Sequence, residues 1–153
     1  MLVFLHPTMS ESAKYIEHTT HLRVRYADTD QMNLVYYGKY FEYFEVARTE
    51  MLRAAGLPYS EIERAGFALP VRDASIRYYA GATYDDLLRI TARMEASVGT
   101  RLPITYTIHK DGTNELVAEG ATTLVFVSRV TGKPSKPPEM YRDVIERFIH
   151  AHA

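Results

Sequence analysis

The chain has 153 residues, 46% hydrophobic and 24% charged, which is typical of one globular domain with a full core. Its formal net charge of -1 excludes a global field that would recruit nucleic acid or an anionic membrane, so an anionic ligand would need a local basic cluster. The absence of cysteine excludes disulfides, thiolate nucleophiles and cysteine-based metal centres, and it favours a cytoplasmic location.

The amino-terminal segment is apolar only over residues 1–5, and the run ends at His6 and Pro7. It has no preceding basic region and is too short for a signal sequence or a membrane span. We therefore expect no membrane insertion. Residues 1–17 are predicted to form a poorly ordered tail, and residues 18–150 a single domain.

An alternating run over residues 21–26 predicts the first strand, with Val24 and Tyr26 on its apolar face. The run stops at an acidic cluster that contains Asp28 and Asp30. The strand would therefore deliver a carboxylate to a loop.

Apolar residues then recur at three- and four-residue steps, which predicts a long helix from about Tyr37 to Ala55 with one apolar face. The residues on this face are Tyr37, Phe41, Phe44, Ala47, Met51, Leu52 and Ala55. At about 1.5 Å per residue the helix would be roughly 28 Å long. Gly38 falls in its first turn, so the amides of Tyr37 and Gly38 would be unpaired and would point toward the Asp30 loop.

The second half of the chain reads as strands joined by short turns, followed by a terminal helix. Strands are predicted over 67–79, 86–98, 102–109 and 115–127, with a bulge near Asp73, and helices over 60–65, with Ser60 as N-cap and Glu63 as its capping-box partner, and over 141–150. The order of one strand, one long helix and four strands predicts an α+β fold, in which a curved antiparallel sheet of five strands wraps around the helix. The two open sheet edges favour a homodimer.

Two stretches after Asp30 carry a resemblance to a known family. Leu34-Val35-Tyr36-Tyr37-Gly38-Lys39-Tyr40 begins four residues beyond Asp30, and Phe44-Glu45-Val46-Ala47-Arg48-Thr49-Glu50-Met51-Leu52 follows it. Both resemble hot-dog fold acyl-CoA thioesterases, and the nearest match is the group that contains 4-hydroxybenzoyl-CoA thioesterase and the Tol–Pal-associated thioesterases. The similarity runs from about His21 to Pro138.

The resemblance implies hydrolysis of acyl-CoA or aroyl-CoA thioesters, with coenzyme A as part of the substrate and with no cofactor. It implies that Asp30 is the catalytic carboxylate and that the Tyr37 amide binds the thioester carbonyl, with the Gly38 amide beside it. A homodimer that pairs into a homotetramer is expected. Asn33 stands where many relatives have glycine, and Tyr37 stands where the Tol–Pal type usually has histidine.

The implied chemistry needs a carboxylate and oxyanion donors. Asp30 would attack the carbonyl through a mixed anhydride or activate water as a general base. One oxyanion donor is worth about 3 kcal/mol of the barrier. The alternative for Asp30 is a turn or capping role, and Asp28 is interpreted as structural. Glu45 is an alternative carboxylate, because some other hot-dog thioesterases use a helix glutamate, although an ion pair with Arg48 would also explain it.

Five further residues are candidates for substrate binding. They are Tyr40, Arg101, Arg129, Lys133 and Lys136. The four basic residues have the charge and the loop positions to hold the phosphates of coenzyme A, and Tyr40 could line an acyl pocket. The alternatives are solvated surface charges and a core tyrosine.

Two other functions stay open at this point. A hot-dog acyl-CoA hydratase would need a histidine near the positions that Val35 and Tyr36 occupy. A non-catalytic acyl-CoA-binding or assembly module would keep the fold without the reaction. The six histidines match no metal-binding or catalytic-triad spacing, so no metal site is expected.

Overall fold

The structure, a computed structural model, describes residues 14–151. Its strands are β1 (Tyr15–Arg23), β2 (Phe67–Ala68), β3 (Val71–Tyr78), β4 (Leu87–Glu95), β5 (Arg101–Lys110), β6 (Leu116–Val125) and β7 (Val127–Ser128), and its helices are α1 (Lys39–Ala54), α2 (Tyr59–Arg64), α3 (Glu139–Ala151) and a short 3-10 helix (Tyr26–Asp28). Residues 1–13 of the predicted tail lie outside the described part of the chain. Residues 15–17, which were also assigned to that tail, already belong to β1.

Five strands form one antiparallel sheet in the order β1-β4-β5-β6-β3, and β2 pairs with β7 in a separate small sheet. Alternate residues of β4 and β5 are buried and face α1, as period-two strands with one covered face require. The helix packs against β1 and β4 on this face. The predicted α+β fold, with a five-stranded antiparallel sheet and one long central helix, is confirmed.

The apolar face of α1 agrees with the predicted one at Phe44, Ala47, Met51 and Leu52, which are buried, and differs from it at the amino-terminal end. Tyr40 and Tyr43 are buried, whereas Tyr37 is 63% exposed and Phe41 is 36% exposed. The helical period and the carboxyl-terminal part of the face were therefore predicted correctly, and the error is confined to the amino-terminal end. Tyr43 can enter the core because its hydroxyl donates to the buried carboxylate of Asp28.

The first strand ends earlier than predicted. Val24 is buried as expected, but Tyr26 is 78% exposed and begins the 3-10 helix instead of continuing β1. The carboxylate of Asp28 accepts hydrogen bonds from the backbone amide and the guanidinium of Arg25, which closes this short turn. A local side-chain contact thus overrides the alternating pattern.

The remaining element boundaries moved by a few residues. The predicted strand 67–79 is split at Pro70, which has no amide to donate to a ladder, and the register shift between Val71 and Asp73 confirms the predicted bulge. The predicted N-cap at Ser60 is wrong, because α2 begins at Tyr59 without a side-chain cap.

The sheet has two ends that matter for the site. At the loop end, Arg23 pairs with Leu87, and the chain continues from there into the 3-10 helix and the Asp30 loop. At the far end, Tyr15 pairs with Glu95, and β5 begins at this same end with Arg101. The outer strands are β1 and β3, and within residues 14–151 no strand covers the free edge of β3.

Candidate active site

The Asp30 loop is a closed, hairpin-like turn that joins the 3-10 helix to α1. The Asp30 amide donates to the Leu34 carbonyl at 2.9 Å, and the Tyr36 amide donates to the Asp28 carbonyl, also at 2.9 Å. Residues 31–33 form the tip between these two sides. Main-chain bonds therefore hold Asp30 on one side of the loop while the other side leads directly into the start of α1.

One oxygen of the Asp30 carboxylate shapes the loop, and the other is available. Oδ1 accepts the Met32 amide at 2.8 Å, which is an aspartate turn, and Asn33 follows with a φ of 63°. No donor from residues 14–151 is bonded to Oδ2. Asn33 thus adopts the left-handed conformation that glycine would favour, so its substitution for glycine leaves the turn intact. The turn role that was the alternative for Asp30 is therefore observed, but it uses only one of the two carboxylate oxygens.

The Asp30 side chain opens into a pocket of about 400 Å³. The lining residues are Tyr26, Thr29, Asp30, Gln31, Asn33 and Tyr84. The rings of Tyr26 and Tyr84 meet edge to face at 5.5 Å. Asp30 is therefore accessible from this pocket.

The start of α1 carries two amides that donate to no acceptor among residues 14–151, those of Tyr37 and Gly38. Gly38 is the N-cap, and Tyr37 precedes it, so both lie just before the first turn that was predicted to hold them. A Cβ added at Gly38 would lie 3.1 Å from the Tyr36 ring, so a larger residue there would require that ring to shift. Free amides at a helix amino end, with the helix dipole behind them, form a site for an anion or a developing oxyanion.

A buried carboxylate ties this loop to the core. Asp28 is 1% exposed and accepts the Arg25 amide at 3.1 Å, the Arg25 guanidinium at 3.0 Å and the Tyr43 hydroxyl at 2.9 Å. Burial alone would raise the pKa of Asp28, but these hydrogen bonds outweigh it and lower the pKa below 3.8. The structural interpretation of Asp28 agrees with this arrangement, but the sequence carried no signal for its partner Tyr43.

The tyrosines around the helix start form a connected group. The Tyr78 hydroxyl, at the end of β3, donates to the Tyr37 carbonyl at 2.8 Å. Tyr40 is 3% exposed, and its ring meets those of Tyr43 and Tyr78 edge to face. Tyr40 therefore lies in the core of the chain, and its role in lining an acyl pocket stays a prediction.

Glu45 lies on α1, away from the pocket that Asp30 lines. Glu45 is exposed, and its Oε2 lies 3.9 Å from the Arg48 guanidinium. This is the ion pair that was predicted as the alternative role of Glu45, at a long distance. Both residues line a second pocket of about 250 Å³ between α1, α2 and the sheet. Glu45 is thus accessible, and it lies seven residues beyond Gly38, the N-cap of α1.

The four basic candidates lie at the far end of the sheet. Arg101 is the first residue of β5. A loop after β7 carries Arg129, Lys133 and Lys136. This loop adjoins the same end of the sheet, because the Phe126 amide just before β7 donates to the Thr100 carbonyl. The ten residues of β5 span roughly 30 Å at about 3.3 Å each. Within one chain the structure does not bring these residues to Asp30.

Neither metal ligands nor membrane-spanning helices are found in the part of the chain that the structure describes. No three acidic or histidine side chains of residues 14–151 gather in a way that could hold a metal ion. No helix within the same range has the length and apolar character needed to cross a membrane.

The comparisons with known proteins identify the family. The profile of the thioesterase-like superfamily matches residues 24–146, which is 123 of the 153 residues. The chain belongs to the thioesterase-like superfamily. The resemblance seen in the sequence is thereby confirmed, and the matched range of this thioesterase contains the Asp30 loop, the start of α1 and Tyr78.

Individual relatives of this thioesterase agree with the family assignment. The acyl-CoA thioester hydrolase YbgC of Escherichia coli is 35% identical over 118 residues, which cover 77% of this chain and 87% of the relative. The structure of the DHNA-CoA thioesterase from Staphylococcus aureus matches with a TM-score of 0.81 and 28% identity, over 89% of this chain and 91% of that one. A 1,4-dihydroxy-2-naphthoyl-CoA thioesterase from Synechocystis matches with a TM-score of 0.77 and 26% identity, over 84% and 95% of the two chains.

Proposed function

We propose that this enzyme hydrolyses acyl-CoA or aroyl-CoA thioesters to the free acid and coenzyme A, with Asp30 as the catalytic carboxylate. One observation carries the proposal. The two sides of a single short loop present a carboxylate oxygen with no bonded donor and, at Tyr37 and Gly38, two amides with no acceptor among the described residues. Thioester hydrolysis requires this pair of functions, and the names of the relatives supply the substrate class.

The reaction follows from these groups. The thioester carbonyl oxygen would lie against the Tyr37 and Gly38 amides, which stabilise the negative charge that develops on it. Asp30 Oδ2 either attacks the carbonyl carbon, giving a mixed anhydride that water then cleaves, or removes a proton from the attacking water. In both routes the C–S bond breaks, and coenzyme A leaves as a thiolate that takes up a proton. Neither route uses a cofactor.

A homodimer would complete the substrate site. The free edge of β3 runs from Val71 at the far end to Tyr78 at the loop end. If two β3 edges pair antiparallel about a twofold axis, the far end of one chain adjoins the loop end of the other. Arg101 of the partner subunit and its neighbouring basic loop would then approach the phosphates of a coenzyme A held at Asp30. Pairing of such dimers into a tetramer stays a prediction, as does the cytoplasmic location.

A thiol-release assay over short, medium, long and aromatic CoA thioesters, with an acyl-carrier-protein thioester included, tests the activity. We expect Asp30→Asn to reduce kcat by at least about a hundredfold with an unchanged circular dichroism spectrum. Glu45→Gln is the matched control, because it neutralises the other candidate carboxylate. Unaltered turnover in Asp30→Asn together with a large loss in Glu45→Gln would transfer the catalytic role to Glu45. Tight binding of CoA thioesters without turnover by the unaltered chain would favour a binding module.

Mixed dimers test the contribution of a second chain. An Asp30→Asn chain and an Arg101→Ala/Lys133→Ala chain are each expected to be impaired, the second through a higher KM for CoA thioesters but not for phosphate-free pantetheine thioesters. In a mixed dimer one of the two sites combines an intact Asp30 with intact basic residues from the other chain. Mixing should therefore restore activity, and a failure to do so would place both groups in one chain's site.

A further inference from the structure

A tyrosine on the edge strand contacts the helix start at a position that bears on the proposed reaction. We propose that Tyr78 is a positioning residue of the oxyanion site, which fixes the peptide group between Tyr37 and Gly38 and strengthens the Gly38 amide as a hydrogen-bond donor. This inference rests on the proposed function, and it names a residue on β3 that the resemblance did not assign.

The Tyr78 hydroxyl is held by two parts of the fold. Tyr78 is the last residue of β3 and pairs with Ala118 of β6, so the sheet sets its backbone position. Its ring meets the buried Tyr40 ring edge to face, with centroids 5.4 Å apart. From this position the hydroxyl reaches the Tyr37 carbonyl oxygen at 2.8 Å. A contact fixed by both sheet and helix can determine the orientation of the peptide group that it touches.

The bond acts on the Gly38 amide through shared electrons. The Tyr37 carbonyl and the Gly38 amide belong to one planar peptide group, so a donor at the carbonyl oxygen draws electron density away from the N–H. Such cooperative polarisation strengthens a connected hydrogen bond by about 10–30%. The Tyr37 amide, in the preceding peptide group, is polarised in the same way, because the Tyr36 carbonyl accepts a hydrogen bond from the Lys39 amide at 2.9 Å. That bond is between backbone atoms, so only the bond from Tyr78 can be removed by a side-chain substitution.

The Tyr78 hydroxyl remains a donor at neutral pH. Burial, and then the nearby Tyr37 hydroxyl, raise the pKa of Tyr78 above its ordinary value of 10. The proton therefore stays on the oxygen throughout the range in which a thioesterase would be assayed.

The neighbouring residue provides a matched control. Tyr79 is 49% exposed against 43% for Tyr78, and its hydroxyl donates to the Glu119 carboxylate at 3.1 Å, not to the helix start. We expect Tyr78→Phe to lower kcat about fivefold with KM within about twofold of the unaltered enzyme, because the lost interaction matters most when charge develops. Tyr79→Phe is expected to leave both constants unchanged. An equal loss in both variants, or a rise in KM alone, would overturn the inference.

A second measurement does not depend on turnover. In 15N–1H correlation spectra, the Gly38 amide proton should move upfield in Tyr78→Phe and stay in place in Tyr79→Phe, whereas 3-fluorotyrosine at position 78, a stronger donor, should move it downfield. An unshifted Gly38 proton would overturn the inference even if kcat falls. If the unaltered enzyme released thiol from no CoA thioester, the proposed function would fail, while the spectra would still decide whether Tyr78 polarises this amide.

Discussion

Replacing Tyr43 by phenylalanine should destabilise the fold through one buried hydrogen bond. The Tyr43 hydroxyl donates to Asp28 Oδ2 at 2.9 Å, and the two residues are 4% and 1% exposed. Tyr43→Phe keeps the ring that packs against Tyr40 and removes only this donor. The carboxylate would keep its bonds from Arg25 but lose its link to α1.

The expected loss follows from the charge and the burial of the acceptor. A hydrogen bond to a charged group contributes about 1.5–3 kcal/mol to stability. For a domain whose unfolding free energy is of the order of 5–15 kcal/mol, that is a large fraction. Tyr43→Phe should therefore lower the melting temperature by on the order of 6 °C.

Urea denaturation followed by circular dichroism, at one fixed protein concentration, measures this loss. Tyr79→Phe removes an exposed hydroxyl and should change the unfolding free energy by less than about 0.5 kcal/mol. A double-mutant cycle with Asp28→Asn should give a coupling energy of at least about 1 kcal/mol. A loss below about 0.5 kcal/mol in Tyr43→Phe, or additivity in the cycle, would refute the reasoning.

The same variant should alter the acid limb of the stability curve. The native pKa of Asp28 lies below 3.8, since the hydrogen bonds outweigh the effect of burial, so its contribution is fully present above pH 3.8 and is lost as the pH falls through the native pKa. Tyr43→Phe removes one cause of the lowered pKa. The difference in unfolding free energy between the two proteins should therefore be largest at neutral pH and shrink below about pH 4.

Substitutions at three further positions test local geometry. Gly120→Ala should destabilise the fold by about 1–3 kcal/mol in urea titrations, because its Cβ would overlap the Phe44 ring and lie 2.8 Å from the Ser75 carbonyl oxygen. Gly99→Ala, whose Cβ would meet nothing closer than 3.8 Å, should change the same free energy by less than about 0.5 kcal/mol. Asn33→Gly should retain the folded state and its thiol-release activity because of the φ of 63°, whereas Asn33→Ala should lose about 1 kcal/mol and unfold at a lower urea concentration.

Much of the fold could be predicted because it follows from short-range patterns in the sequence. The alternation in β4 and β5, the period of α1 and the bulge near Asp73 all appear at short sequence separation. The burial of Tyr43 in α1 could not be predicted in this way. It depends on a hydroxyl of Tyr43 that finds the Asp28 carboxylate 15 residues away, and an aromatic period alone cannot show which tyrosines have a buried acceptor.

The candidate site also contains features that the local sequence predicts and features that it does not. The free amides at Tyr37 and Gly38 follow from the general chemistry of a helix start, so the sequence could indicate them. The contact of Tyr78 with Tyr37 spans 41 residues, and no periodicity reports it. The distance between Asp30 and the basic loops could also not be predicted from the sequence, because it depends on the register of the sheet.

The main-chain ladder that closes the Asp30 loop has a consequence for diversification within the family. The bonds from the Asp30 and Tyr36 amides do not depend on which side chains occupy the tip. Gln31 and Met32 are both exposed, and Gln31 lines the pocket beside the carboxylate. Replacement of Gln31 can therefore reshape the pocket while Asp30 keeps its place, so the shape of the pocket can diverge at the tip without a change in the main-chain bonds that hold the loop.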